Sequence, residues 1–308
     1  MRTIVLACVL VLTTGAGALA DKAAYLDLAR KGWNYQLRTT MVGRDLSIPV
    51  QINGRDLSGA ALCLVGERPN PASQEVIDAF RALAHEVYGK PLTQRYAGRD
   101  ARGCGTGRTV LLRLYSGHPP NAALSADLTW MNEVYALGLP VGRDYAATSP
   151  AMAQTFFGHR GQGTHIMVQQ AALPSVGALE TAYFRSILIE ELFQSFTFGM
   201  DILRFERGPG FFSKLQETPM RMDRLPWTSR AFMRALLQSN PGALCQFDIF
   251  MMHAVARSPA KQTVEPVFLE FIEAEYDQLA ALAGATMADP RFAAVVDREC
   301  RQGSDSRI

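Results

Sequence analysis

The spacing of apolar and polar positions divides the chain into two unlike parts. Val76, Phe80, Leu83 and Val87 recur at helical intervals, Pro71 precedes them and Gly89 follows, which predicts a helix over Ser73–Tyr88. Strand candidates flank it: Ser47–Asn53 and Ala60–Val65 before, Thr109–Tyr115 after, the last carrying the short apolar run Val110-Leu111-Leu112-Arg113-Leu114. Asp21–Trp33 and Ala122–Leu137 have helical patterns. Gly138–Gly163 reads as a long connection containing Gly and Ala, and Thr164–Gln170 as a further strand. Beyond that the pattern is helical: Ala178–Phe198, Ser229–Gln238, Gly242–Arg257, Val264–Leu282 and a short piece near Arg291–Arg298. Gly208-Pro209-Gly210 and Asn240-Pro241-Gly242 punctuate it. Strands early and helices late predict an α+β fold, with a small mixed sheet and helices in the first half and a mostly helical second half. No Pro/Ser-rich linker interrupts the chain, so residues 21–308 are expected to form a single domain with a helical C-terminal lobe.

Composition narrows the class. With 48% hydrophobic and 19% charged residues among 308, the chain is globular and neither disordered nor a coiled coil. A formal net charge of +2, from 31 basic and 29 acidic residues, gives no reason to expect a nucleic-acid partner. Met1–Ala20 has Arg2, an apolar run from Ile4 to Leu12, and Ala18-Leu19-Ala20 at its end. This is the pattern of a signal peptide cleaved near Ala20, and its apolar run is well short of the roughly 20 residues a membrane span requires. A periplasmic or extracellular protein without a transmembrane anchor is expected. Val5-Leu6-Ala7-Cys8 looks like a lipoprotein box, but almost no apolar segment precedes it, so Cys8 is assigned to the discarded peptide. That leaves Cys63, Cys104, Cys245 and Cys300 in an oxidising compartment, where two disulfides are expected. Three connectivities exist; Cys63–Cys104 with Cys245–Cys300 keeps each bridge within one half of the chain. Zinc binding by these cysteines is disfavoured, because no two lie two to four residues apart.

The chemistry concentrates in Phe184-Arg185-Ser186-Ile187-Leu188-Ile189-Glu190-Glu191-Leu192-Phe193-Gln194-Ser195-Phe196. Two carboxylates and an amide interrupt a very apolar helix, which is costly unless they are paired, solvated or functional. Glu190 and Gln194 lie one turn apart, and Glu191 is about 100° around from Glu190. The layout has the spacing of H-E-x-x-H, the helix in which two histidines bind zinc and a glutamate activates water. Glu190 and Gln194 stand at the histidine positions and Glu191 at the glutamate position. Gly199 and Asp201 follow, and the strand-like Thr164–Gln170 precedes. A plainer alternative is that Glu190 and Glu191 pair with Arg185, Arg204 or another cation.

This stretch resembles a family of secreted proteobacterial proteins of unassigned activity, whose central helix carries E-E-x-x-Q followed by a glycine and an aspartate. The resemblance runs from about Ser47 to His253 and implies a zincin-like, metallopeptidase-like scaffold in which an edge strand precedes the active-site helix. It places Glu191 at the general-base position and Glu190, Gln194 and Asp201 around it, with His165 on a strand expected to face the helix. Neither ligand position is a histidine, so no metal or other cofactor is expected. The implied role is binding of a peptide or cell-envelope component. The alternative is a metal-dependent hydrolase with Glu191 as base and a metal held by Glu190 with His159, His165 or Asp201. Other motifs carry less. His85-Glu86 is half a zinc motif at a helix end, His253 in its apolar run reads as a core histidine, and Ser258-Pro259-Ala260-Lys261 lacks the companion motifs of a serine–lysine enzyme. Phe211-Phe212 and Trp227 are candidate groove aromatics whose default is core packing.

Overall fold

The computed structural model describes residues 14–33, 60–172, 177–205, 210–222, 224–261 and 265–300, with the first helix's side chains described from Lys22. The candidate strand Ser47–Asn53 and Met1–Thr13 of the expected signal peptide lie outside these residues. Among the described residues are eight α-helices and a five-stranded mixed sheet.

The sheet is built from β1 (Ala61–Gly66), β2 (Thr93–Tyr96), β3 (Thr109–Tyr115), β4 (Ala151–Gly158) and β5 (Gly161–Gln169), in the order β2-β1-β3-β5-β4. All neighbours are parallel except β4, which runs antiparallel to β5 along one edge. Both faces are covered, which is why the central strands read as unbroken apolar runs. Alternation assigns the faces. Leu62, Leu64, Val110, Leu112, Leu114, Ile166 and Val168 enter the larger core, while Cys63, Val65, Leu111, Tyr115 and Met167 enter a smaller one on the other side. The larger core is packed by α1 (Thr14–Trp33), α2 (Pro71–Tyr88) and α4 (Ala178–Thr197), the smaller by α3 (Asn121–Tyr135) and a 3-10 turn at Ala101–Cys104.

The second half adds α5 (Arg230–Ser239), α6 (Gln246–Arg257), α7 (Pro266–Ala274) and α8 (Tyr276–Ala288) to the larger core. Tyr25 of α1 meets the rings of Phe247 and Phe250 edge-on at 4.9 Å, joining the first helix to the last lobe. Disulfides link Cys63 to Cys104 and Cys245 to Cys300, the within-half pairing.

Three expectations require correction. The stretch from Gly138 to Gly163 is not all connection, because it contains β4, which forms a hairpin with β5 around His159-Arg160. Val264–Leu282 is two helices broken at Glu275, and the piece near Arg291 is only a 3-10 turn at Pro290–Phe292.

His253 is the core histidine its context suggested. It is buried on α6 with Nε2 3.0 Å from Thr286 Oγ1. Burial, reinforced by Arg257, pushes its imidazole from 6.5 down to about 4. The folded value lies below the unfolded one, so the unfolded chain takes up the proton first as pH falls. Stability held above about pH 6.5 is therefore lost on the way to pH 4, by roughly 2–3 kcal/mol from this group. Urea unfolding at pH 7 and pH 4.5 should show that loss, and His253→Gln should remove it. An unchanged pH slope in the variant would assign the acid sensitivity to other groups.

Candidate active cleft

The expected catalytic helix is α4, packed against β4 and β5 on one side and α2 on another. Its last carbonyls are held from outside: Trp33 Nε1 donates to Thr197 O at 2.9 Å and Tyr88 Oη to Phe196 O at 2.6 Å. Phe198 closes the helix in the left-handed region at φ 60°, its N–H bonding Gln194 O. Gly199 then lets the chain pass close to its neighbours, since a Cβ there would stand 2.5 Å from Leu215 and 2.6 Å from Trp33. The turn sends the chain into β6 (Ile202–Leu203), which pairs in parallel with β7 (Gln216–Glu217). In this way Asp201 and Glu217 arrive beside the carboxylates of α4.

The result is a cleft of about 290 Å³ lined by Pro150, Met152 and Ala153 on one side and Glu190, Glu191, Gln194, Asp201 and Glu217 on the other. Glu190, Asp201 and Glu217 each present an oxygen, and the three lie within 4.8 Å of one another. Gln194 Nε2 donates to Asp201 Oδ1 at 2.5 Å.

Glu190 answers the question of pairing. Its partner is neither arginine named above: Arg185 pairs with Glu75, and Arg204 donates to Gly210 O. The fully buried Lys214 places Nζ 2.8 Å from Glu190 Oε2 and 3.1 Å from Ser186 Oγ. Asn240 Nδ2 donates to the same oxygen at 3.0 Å, so both partners engage Oε2 and leave Oε1. Lys214 is aimed by the turn before it. Asp248, at the start of α6, accepts from Ser213 Oγ at 2.5 Å and from the backbone N–H groups of Lys214 and Cys245, both at 2.7 Å.

Electrostatics in the cleft are unfavourable to full ionisation. Burial pushes the Glu191 carboxyl well above the usual range, with Glu190, Asp201 and Glu217 adding to the rise and Lys214 opposing it. Glu191 Oε2 is buried and has no hydrogen-bond partner. Burial and then Glu190 raise Asp201 to about 6, against Lys214 and the hydrogen bond from Gln194, and burial, Glu190 and Asp201 raise Glu217 to about 8. Asp201 and Glu217, at about 6 and about 8, are suited to exchanging protons near neutral pH.

His165 is not part of this arrangement. Its register opposite Leu111 and its alternation with Ile166 turn it to the α3 side of the sheet, where Nε2 lies 3.0 Å from Asp127 Oδ2. His159 lies in the β4–β5 turn, on another pocket with Arg108 and Tyr135. Trp227 packs on the core, Phe211 is buried beneath the Arg204 guanidinium, and Phe212 is exposed. Sequence reasoning missed Lys214, Glu217 and Asn240. One signal pointed to Lys214: it is one of five lysines and stands close after two phenylalanines in Phe211-Phe212-Ser213-Lys214-Leu215.

The zinc implied by a metallopeptidase-like resemblance does not fit these donors. Among the described residues the cleft offers carboxylate and amide oxygens and neither imidazole nor thiolate, whereas zinc sites are built mainly from the latter two. Comparison of the chain with protein-family models, curated proteins and solved structures returned no match.

Proposed function

We propose that this is an extracytoplasmic binding protein on a degenerate metallopeptidase-like scaffold, and that its cleft takes an extended, basic peptide segment, free or as part of an envelope component. The observation that carries this reading is the pairing of walls. One wall is β4, an edge strand with backbone groups available for an added strand, and the other is a row of carboxylates. Main-chain pairing would supply affinity and the carboxylates a preference for Lys or Arg side chains. The strand expected at the sheet edge just before the helix, Thr164–Gln170, corresponds to β5, which lies inside the sheet between β3 and β4; the edge strand β4 comes one strand earlier. Five of the seven exposed large apolar side chains among the described residues, Met200, Leu203, Phe205, Phe212 and Met220, lie near Asp201 and Glu217 in sequence. Two disulfides and the signal-like Met1–Ala20 fit an oxidising compartment.

Fluorescence polarisation with short capped peptides tests the reading. Lys- and Arg-containing peptides should bind, more weakly at high salt, and Asp201→Asn with Glu217→Gln should weaken them by more than about ten-fold. Equal binding of basic and acidic peptides, or none at all, would overturn it. A hydrolase with Glu191 as general base is the second reading, favoured by the raised, unpartnered carboxyl of Glu191 in the cleft. It requires peptide cleavage, followed by mass spectrometry, that is lost in Glu191→Gln.

A further inference from the structure

We propose that Glu190, Asp201 and Glu217 form a site for an oxygen-preferring divalent cation of the Ca²⁺ or Mn²⁺ class. The sequence pattern, judged as a zinc motif, leads to no metal. Glu217 changes that, because it lies outside the motif and is carried in by the β6–β7 pairing. Three segments of the chain thus place three carboxylate oxygens within 4.8 Å of one another, close enough to share one ion. Hard cations of this class are bound by carboxylate and carbonyl oxygens, and the donors available here are of that kind.

Two independent observations point to a ligand in addition to the cluster itself. Glu191 is more than nine-tenths buried, lines the same cleft, and its Oε2 has no hydrogen-bond partner. Buried polar atoms are nearly always partnered, so an orphaned carboxylate oxygen on a residue lining a cleft of carboxylates calls for a cation or a donor. The arrangement around Glu190 is the second. Lys214 and Asn240 both bind Oε2, which fixes the carboxylate and leaves Oε1 for the cleft. Lys214 offsets the charge of one carboxylate. Glu191, Asp201 and Glu217 have no ion-pair partner among the described residues, and a divalent ion would offset the negative charge that each carries when ionised. Gln194 holds Asp201 in place as an outer partner.

The inference shares the cleft with the peptide-binding reading but does not depend on it, and the two are measured apart. The disulfide-bonded protein is stripped with EDTA, dialysed and titrated calorimetrically with CaCl2, MnCl2, MgCl2 or ZnCl2 in the absence of peptide, while peptide binding is scored in EDTA. We expect one-to-one binding of Ca²⁺ or Mn²⁺, a rise of several degrees in melting temperature at saturation, and affinity weakened by more than about ten-fold in Asp201→Asn and in Glu217→Gln. Glu75→Gln, at a surface pair, should bind as the unaltered protein does. A measurement that needs no variant is the pulsed EPR spectrum of bound Mn²⁺, which should show no nitrogen coupling from histidine. Histidine coupling, absence of saturable Ca²⁺ or Mn²⁺ binding up to about 10 mM, or full binding by the folded Asp201→Asn/Glu217→Gln double variant would each overturn the site.

Discussion

Replacing Lys214 with methionine is expected to cost roughly 3–5 kcal/mol of stability, because it leaves Glu190 buried against an apolar neighbour with its charge unpaired. The side chain is fully buried, and its ammonium meets Glu190 Oε2 at 2.8 Å and Ser186 Oγ at 3.1 Å. Methionine keeps the volume and loses the charge, so the loss is electrostatic and not a cavity effect. Asn240 still donates to Glu190 and recovers part of the cost. The companion variant is Glu190→Gln/Lys214→Met. Removing both charges should bring stability back to within about 1–2 kcal/mol of the starting protein, since a buried pair replaced as a unit is often nearly neutral. Urea unfolding of the four species gives the coupling energy directly. A coupling near zero would mean that Lys214 and Glu190 are each satisfied without the other. Lys214 would then not be what fixes Glu190 at the cleft wall.

This pair also shows where the sequence stops being informative. The helical period of Ala178–Phe198 is a local property, so α4 and the offset of Glu190 from Glu191 are legible from residue spacing alone. The cation for Glu190 is not, because it sits 24 positions away in a turn whose shape depends on Asp248 of α6. Glu217 is hidden for the same reason: two residues of strand pairing bring it to Asp201, and two residues leave no periodicity to read. The missed β4 has a different cause. Ala151-Met152-Ala153-Gln154-Thr155 holds one β-branched residue, and an edge strand with half-buried positions shows weak alternation. Its end at Gly158, followed by Gly161 and Gly163, resembles a loop, and only the hairpin with β5 makes it a strand. That strand is one wall of the cleft, so the part of the site contributed by α4 was visible in the sequence and the part contributed by the sheet was not.

His165 was misplaced although the information to place it was present. Alternation along Thr164–Gln170 puts His165 with Met167 and opposite Ile166 and Val168, and the strand's larger apolar face belongs to the α4 side. His165 therefore joins Arg113 and Asp127 beneath α3. Arg113 Nε and Nη2 donate to Asp127 Oδ2 and Oδ1 at 2.5 and 2.6 Å, and all three residues are nearly fully buried. Burial alone would raise the Asp127 carboxyl, but hydrogen bonds from Arg113 and His165 outweigh it and hold the group below its usual range.

Asp127→Asn should thus be as damaging as the loss of Lys214, at roughly 3–5 kcal/mol, with the opposite functional signature. Asparagine preserves the shape but not the charge. Arg113 is left with Arg99 O at 3.1 Å as its remaining described acceptor outside the asparagine, in a site that excludes water. The guanidinium cannot shed its proton, so the strain cannot be relieved by titration. The sheet separates this cluster from the cleft, so peptide and cation binding by the folded fraction should be unchanged at a temperature well below the lowered midpoint. In Lys214→Met the same binding should fall, because Glu190 belongs to the cleft wall. Measured together, the two variants separate loss of stability from loss of the site. If Asp127→Asn abolished binding while the protein remained folded by circular dichroism, the two faces of the sheet would be coupled, and the cleft could no longer be treated as built from α4, β4 and the β6–β7 pair alone.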